Sequence, residues 1–312
     1  MKEKLRTSCP LCHSKEIKHF ISTTAMMHPQ QENEFHFQRC SKCETVFLEN
    51  PVAEEKLGQY YSKSYLPYRG AEAWGKYAKW VKSSQRKLDA KRLSVVKKAL
   101  EKQTFSLLDI GCGKPTFLQL VKEKTKADCH GIDLSTEGWK NQEFDKLKLS
   151  NSSFADFRPK QKFDAITLWH YLEHDYHLQD TVKQISQSLK IGGKLIIEVP
   201  DYQSLTAKQQ KQYWQGWHSP RHLSLLSRKG FEQLFPSSKW KIKTHKRYGT
   251  LDAFTLWWLG KMEEKKIDWA TSMENEFWPL VGLKVLSFPF FLFEKFIPMG
   301  VQLLIIEKRE QA

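Results

Sequence analysis

Two kinds of donor carry the chemistry open to this chain: paired thiols near its amino end, and acids and imidazoles further on. Cys9-Pro-Leu-Cys12 and Cys40-Ser-Lys-Cys43 are two C-x-x-C knuckles. Four thiolates close a tetrahedral shell around zinc, and a closed shell is structural because no coordination position stays open. Two such pairs satisfy one metal better than they serve redox exchange. Downstream, Asp109-Ile-Gly111-Cys-Gly113 places a carboxylate at a glycine turn. Glycine tolerates positive φ and lets backbone approach a ligand closely. His130-Gly-Ile-Asp133 and Ser153-Phe-Ala-Asp156 add two more acids at the ends of apolar runs. His170-Tyr-Leu-Glu173-His174 and Trp217-His218-Ser-Pro-Arg221-His222 gather imidazoles, a carboxylate and a guanidinium. Imidazole suits general-base work near neutral pH, and a guanidinium grips phosphate or carboxylate as a bidentate fork.

These side chains need elements to hold them. The apolar run Phe105 to Ile110 feeds the glycine turn, and Phe117, Leu118, Leu120 and Val121 then recur at helical spacing. Strand, tight turn and helix in that order place a ligand beyond the carboxyl end of a strand in an open α/β sheet. His130 to Asp133 reads as a second strand, and Ser153 to Phe157 ends a third. Phe163 to Trp169 is a fourth β-type run. It leads straight into His170, which argues against an H-x-x-E-H protease helix at His170, Glu173 and His174. Gly192-Gly193 turns into a fifth strand that ends at Pro200. Lys241 to Tyr248 and Val301 to Glu307 supply two more, with 251–300 inserted between them. Cys112 and Cys129 read as small buried residues. Lys82, Arg86, Lys87, Lys91, Arg92, Lys97 and Lys98 read as the solvated face of one helix before the first strand of this sheet.

Taken in this order, these segments resemble class I S-adenosylmethionine (SAM)-dependent methyltransferases. A nicotinamide site more often carries a third glycine, where this chain has Thr116. The resemblance implies an α/β, Rossmann-like seven-stranded sheet whose last strand runs antiparallel between the fifth and sixth. It implies SAM as cofactor. Asp109, Gly111 and Gly113 would line its methionine end, Asp133 its ribose hydroxyls and Asp156 its adenine. Trp169 and His170 would lie beneath the methyl donor. His174 and His222 are the candidate bases. The Trp217, His218 and Arg221 loop is the candidate substrate site, and its Pro-Arg-His-Leu run resembles a bacterial subgroup of the family. A four-cysteine ribbon ahead of such a domain is similar to sugar and glycan-pathway methyltransferases. One position departs from the pattern: Pro115 stands where the family has glycine. Proline fixes φ and removes an N–H, from which either a reshaped turn or reduced SAM affinity is expected.

The expected organisation is a zinc ribbon over 1–50, with structural zinc on Cys9, Cys12, Cys40 and Cys43. An aromatic linker or lid follows over 51–84, carrying Tyr60, Tyr61, Tyr65, Tyr68, Trp74, Tyr77 and Trp80. The methyltransferase domain fills 85–312, with an aromatic-rich helical insertion near 251–300. The formal net charge is +15 over 312 residues, which favours anionic partners. The expected acceptor is a small molecule, a sugar or glycan precursor, or a lipid-linked intermediate. A nucleic-acid methyltransferase and a non-catalytic SAM-fold binding protein remain as alternatives, and no Asn/Asp-Pro-Pro-aromatic signature supports the first of these. No apolar leader follows Met1, and no uncharged apolar run is long enough to span a bilayer. The expected place is the cytoplasm. Residues 277–299, rich in Phe, Trp and flanking Lys, suit peripheral contact with the inner membrane face.

Overall fold

The computed structural model describes residues 5–28, 33–61, 65–139, 144 and 146–309. Three short strands come first: β1 (Ile17–Thr24), β2 (Glu34–Cys40) and β3 (Val46–Leu48). Single 3-10 turns and α1 (Leu66–Arg69) lead to the long α2 (Ala78–Leu100). Next are β4 (Ser106–Ile110), α3 (Thr116–Lys124), β5 (Asp128–Asp133), β6 (Lys148–Asn151), β7 (Phe163–Trp169), α4 (Leu178–Ser188) and β8 (Leu189–Pro200). The chain continues through α5 (Leu205–Gln210), β9 (Ser224–Leu225), α6 (Arg228–Leu234) and β10 (Trp240–Lys246). It ends with α7 (Ala253–Glu264), α8 (Phe277–Phe291) and β11 (Val301–Lys308).

Seven strands form one sheet in the order β10-β11-β8-β7-β4-β5-β6. β4, β5, β6, β7 and β8 pair in parallel. β11 is antiparallel to both β8 and β10, as the expected last strand should be. The central strands are apolar almost throughout because both faces are covered. Alternate residues feed opposite cores. Leu108, Ile166 and Ile197 join the face covered by α4 and α6. Leu107, Ala165 and Ile196 join the face covered by α2 and α3. The third strand is shorter and earlier than expected: β6 ends at Asn151, and Ser153 to Phe157 forms a turn held by the Ser153 hydroxyl.

The amino-terminal segment is knitted into the rest. β3 pairs with β9, so the sheet β1-β2-β3-β9 takes its edge strand from the loop region after β8. The cysteine knuckles pack in the same core as α4 and α6. The Gln179 amide donates to Leu11 O (2.9 Å), the Tyr202 hydroxyl to Glu44 O (2.6 Å) and the Ser227 hydroxyl to Cys43 O (2.9 Å). Insertion helix α7 reaches the same segment, where Glu263 accepts the Met27 N–H at 2.6 Å.

Helix α8 is apolar all round but only partly covered. Leu286 is 80% exposed and Phe296, just beyond it, 83%. Trp278, Val285, Phe288 and Phe293 are exposed as well. Among the described residues, no helix is long and apolar enough to cross a membrane.

Candidate active site beneath a tyrosine cover

The turn after β4 has the shape a close-approaching ligand needs. Gly111 and Gly113 have φ of +71° and +49°, the left-handed region that side chains disfavour. The Gly111 and Cys112 N–H groups both donate to Ile132 O at 2.9 Å, which fixes the turn against the end of β5. A Cβ on Gly111 would meet the Tyr171 ring at 2.5 Å, so that ring roofs the turn. Pro115 does not reshape it. Its φ is −79° at the cap of α3, and its carbonyl still accepts the Gln119 N–H. A proline N at a helix start replaces a donor with no intrahelical partner. The expected distortion is therefore corrected: both glycines keep their positive φ.

The acids divide by burial. Asp133 Oδ2 accepts the Gly113 N–H at 2.8 Å and Oδ1 the Ser135 N–H at 2.9 Å. Burial raises its pKa against those bonds. Each carboxylate oxygen has a second lone pair left for a partner. Asp109 is buried and accepts the Thr167 hydroxyl at 2.6 Å. Burial pushes it up to about 7. Asp156 is exposed and engaged with Ser153 at the rim. The Trp139 indole N–H donates to Gly113 O at 2.9 Å.

Beyond β7, the expected imidazoles converge with Glu173 on the turn Leu172–His174 and on the loop that precedes β9. His170 (φ +57°) is a non-glycine residue in the left-handed region. Its Nδ1 lies 3.2 Å from Glu173 Oε1 and its Nε2 3.3 Å from Glu198 Oε1. Burial alone would lower its pKa, but the hydrogen bond to Glu173 and the adjacent Glu198 carboxylate outweigh burial and carry it up to about 9. His170 is therefore a cation held between acids. His174 and His222 differ. The His174 Nδ1–H donates to Arg221 O (3.1 Å), the His222 Nδ1–H to Gly216 O (2.7 Å), and the rings meet edge to face at 4.6 Å. Burial lowers the pKa of both, His222 well below the usual range. Both are neutral, with Nε2 lone pairs left over.

Tyr61, Tyr65 and Tyr68 pack on one another between this cluster and Asp133, which is bonded to the glycine turn. Tyr61 stacks on Tyr68 at 5.7 Å, and Tyr65 meets the His218 ring at 5.5 Å. The Tyr68 hydroxyl faces Ser135 and Asp133. The Tyr61 hydroxyl lies 3.4 Å from His174 Nδ1.

The residues expected to bind substrate sit deeper than a substrate loop requires. Arg221 is fully buried beneath Tyr65 (4.6 Å), and its guanidinium donates to Met26 O at 2.9 and 3.0 Å. Here it staples the amino-terminal segment. The Trp217 indole N–H donates to Lys211 O and its ring packs on Phe37. His218 is buried with Nε2 unpartnered among the described residues. Trp169 lies between Phe117 and the Arg92 guanidinium, which is 5.0 Å from its ring.

Arg92 is the residue the sequence reading missed. It belongs to a lysine-rich run read as solvated, yet its side chain is 14% exposed and lies 3.9 Å from buried Asp89. The available signal was the Asp89/Arg92 spacing on one helix face.

Cys9, Cys12, Cys40 and Cys43 gather as expected, with all four sulfurs within 4.8 Å of one another. The knuckles repeat one local fold. The His13 N–H donates to Cys9 O and the Glu44 N–H to Cys40 O, with His13 and Glu44 at φ +58° and +61°. Cys9 Sγ lies 3.5 Å from Cys43 Sγ, and Cys12 Sγ 3.5 Å from Cys40 Sγ. Four converging sulfurs fit zinc.

Comparison with known proteins adds the family. The methyltransferase-domain model matches residues 78–242, more than half of the chain. A search of curated proteins finds no significant match. Among solved structures, the chain resembles coclaurine N-methyltransferase bound to N-methylheliamine and SAH, at 13% identity and TM-score 0.48 over 70% of this chain and 72% of that one. It also resembles a chain from the complex between the Haloferax volcanii Trm112 methyltransferase activator and a putative methyltransferase, at 16% identity and TM-score 0.47 over 77% and 98%. A third is the N-methyltransferase NodS from Bradyrhizobium japonicum with S-adenosyl-L-homocysteine, at 10% identity and TM-score 0.41 over 72% and 88%. On the match over 78–242 and the strand order with its antiparallel β11, the chain belongs to the methyltransferase-domain family and has the class I SAM-dependent methyltransferase fold.

Proposed function

We propose that this protein transfers a methyl group from SAM to a small-molecule acceptor, of the sugar, glycan-precursor or lipid-linked kind. One observation carries the reading: a glycine turn with buried acids and a pair of neutral imidazoles share one tyrosine cover. The residues present fit the cofactor. Asp133 has acceptor capacity left for ribose hydroxyls, and Gly111 and Gly113 keep backbone open toward the methionine end. When bound, SAM supplies an electrophilic methyl on its sulfonium. The chain supplies position and dryness. Tyr171, Tyr61, Tyr65 and Tyr68 exclude water from the mouth. His174 or His222 takes the acceptor proton at Nε2, since both Nδ1–H groups are committed to carbonyls.

Zinc on the four cysteines is a structural element in this reading. It holds β3 in place as the partner of β9, and β9 follows His222. The exposed apolar run around α8, with Lys284 and Lys295 beside it, would meet an anionic membrane surface where lipid-linked acceptors reside.

Titration calorimetry with SAM tests the core of the reading. Wild type should bind. Asp133→Ala should bind about 100-fold more weakly, since hydrogen bonds to a charged group contribute about 1.5–3 kcal/mol each. No heat at millimolar SAM, or an Asp133→Ala variant equal to wild type, would sink it.

A further inference from the structure

We propose that Glu173, His174 and His222 form a binding site for a divalent transition-metal cation, distinct from the cysteine cluster, with open positions for an oxygen of the methyl acceptor. The acceptor clause rests on the methyl-transfer reading and the cation site does not; a bound cation would take the Nε2 lone pairs that act as the base in the cation-free site.

Three observations on separate atoms carry it. First, one carboxylate oxygen and one nitrogen from each of two imidazoles lie within 4.8 Å of one another. His222 Nε2 is 4.0 Å from Glu173 Oε1. Bonds of about 2.0–2.2 Å put tetrahedral ligand atoms roughly 3–3.5 Å apart, so the cluster needs to tighten by about an ångström. Second, the donors are turned inward by their other contacts. Each imidazole gives its Nδ1–H to a backbone carbonyl, Arg221 O for His174 and Gly216 O for His222. Metal-bound histidines are oriented in this way, with the remaining nitrogen presented to the cation. Glu173 is held through Oε1, which faces both His170 Nδ1 at 3.2 Å and His222 Nε2 at 4.0 Å. Third, Glu173 Oε2 is fully buried and has no hydrogen-bond partner among the described residues. An orphaned buried carboxylate oxygen is costly unless something positive meets it. Neither Nε2 of the pair has a hydrogen-bond partner there either.

The donor types choose the cation. Mg²⁺ and Ca²⁺ prefer oxygen shells. Two imidazoles and one carboxylate suit Fe²⁺, Co²⁺, Ni²⁺ or Zn²⁺, and three protein donors leave coordination positions open. The cysteine cluster uses all four of its positions on protein. The imidazole cluster keeps some for a ligand, and it lies under the tyrosine cover, where the acceptor must enter.

Cobalt separates the two sites. Full-length protein carrying zinc on its cysteines is titrated with Co²⁺ and followed by metal analysis and absorption. About one extra equivalent is expected, with weak ligand-field bands and no thiolate charge-transfer band, as nitrogen and oxygen ligation requires. Glu173→Gln and His222→Gln should each lose that equivalent and keep the cysteine zinc, which reports that they are folded. Should either variant fail to fold, wild type still answers. Cobalt should shift two imidazole Nδ1–H proton resonances, those of His174 and His222. No extra equivalent at millimolar Co²⁺, uptake unchanged in both variants, or unshifted imidazole signals overturn the proposal. None of these readouts needs SAM or acceptor. Failure of SAM binding therefore removes the methyl-transfer reading without touching the cation site, and the converse also holds.

Discussion

The cysteine cluster and the Glu173/His174/His222 cluster each bring their donors within 4.8 Å of one another, yet they are built by opposite means. Each cysteine pair sits on its own knuckle, and backbone bonds within five residues set its shape. The imidazole cluster has no local rule. Glu173 and His174 come from the turn after β7, His222 from the loop before β9, and the Leu223 N–H bond to Glu173 O (2.6 Å) locks the two segments together. On four locally built thiolates a metal would have a closed, structural shell. On three donors that meet only through tertiary contacts it would keep coordination positions open. The two are also joined in series, because β3 from the ribbon holds β9 next to His222.

That difference breaks most visibly at the cysteines. Cys9→Ser/Cys40→Ser should lose its zinc and unfold at least about 10 °C earlier, or fail to fold, since structural zinc contributes on the order of 10 kcal/mol. Metal analysis and thermal unfolding check it; an equally stable variant would mean that the knuckles need no metal. A smaller effect should separate the clusters. His170→Asn removes the contact that orients Glu173 and should weaken Co²⁺ binding about 10–100-fold, with the cysteine zinc unchanged. Equal cobalt affinity in that variant would uncouple Glu173 from His170.

The pH dependence sharpens the contrast further. His170 is raised from 6.5 to about 9 by Glu173 and Glu198. A raised folded-state pKa contributes stability in full below the unfolded value, and that contribution fades as pH rises through the folded one. Stability should therefore fall between about pH 6.5 and 9, and the His170→Asn variant should lack this component. Denaturant unfolding across that window measures it, and parallel curves for the two proteins would count against the charged His170. The least effect on stability is expected far from both clusters. Leu286→Ser/Phe296→Ser, at exposed positions, should shift stability by no more than about 0.5 kcal/mol while reducing sedimentation with phosphatidylglycerol-containing vesicles. Unchanged sedimentation would remove the membrane role of this region.

Legibility followed the range of the interactions. The strand tips at Asp109, Asp133 and Trp169, the glycine turn and the cysteine knuckles were readable because apolar period, φ demand and ligand spacing act over a few residues, whereas the tip expected at Asp156 is a turn after β6. Asp133 was readable as the acid at a strand end. Its bond to Gly113 was not, since it joins two turns. Arg221 looked free to hold an anion. Only the packed structure reveals that Met26 and Met27 carbonyls occupy its guanidinium. Arg92 looked solvated because a helix face has no known partner until the sheet is laid against it.

By itself, then, the order of residues determined the sheet, the strand order implied by its family pattern, and the cysteine cluster. Tertiary structure alone decided which titratable groups are charged, which donors are already occupied, and which imidazoles face one another. Burial and long-range contact set those properties, and neither is written in any single stretch of chain. His170 shows the reason most directly. Its neighbour Glu173 lies three residues away, but the second carboxylate that helps keep it protonated is Glu198, on the adjacent strand.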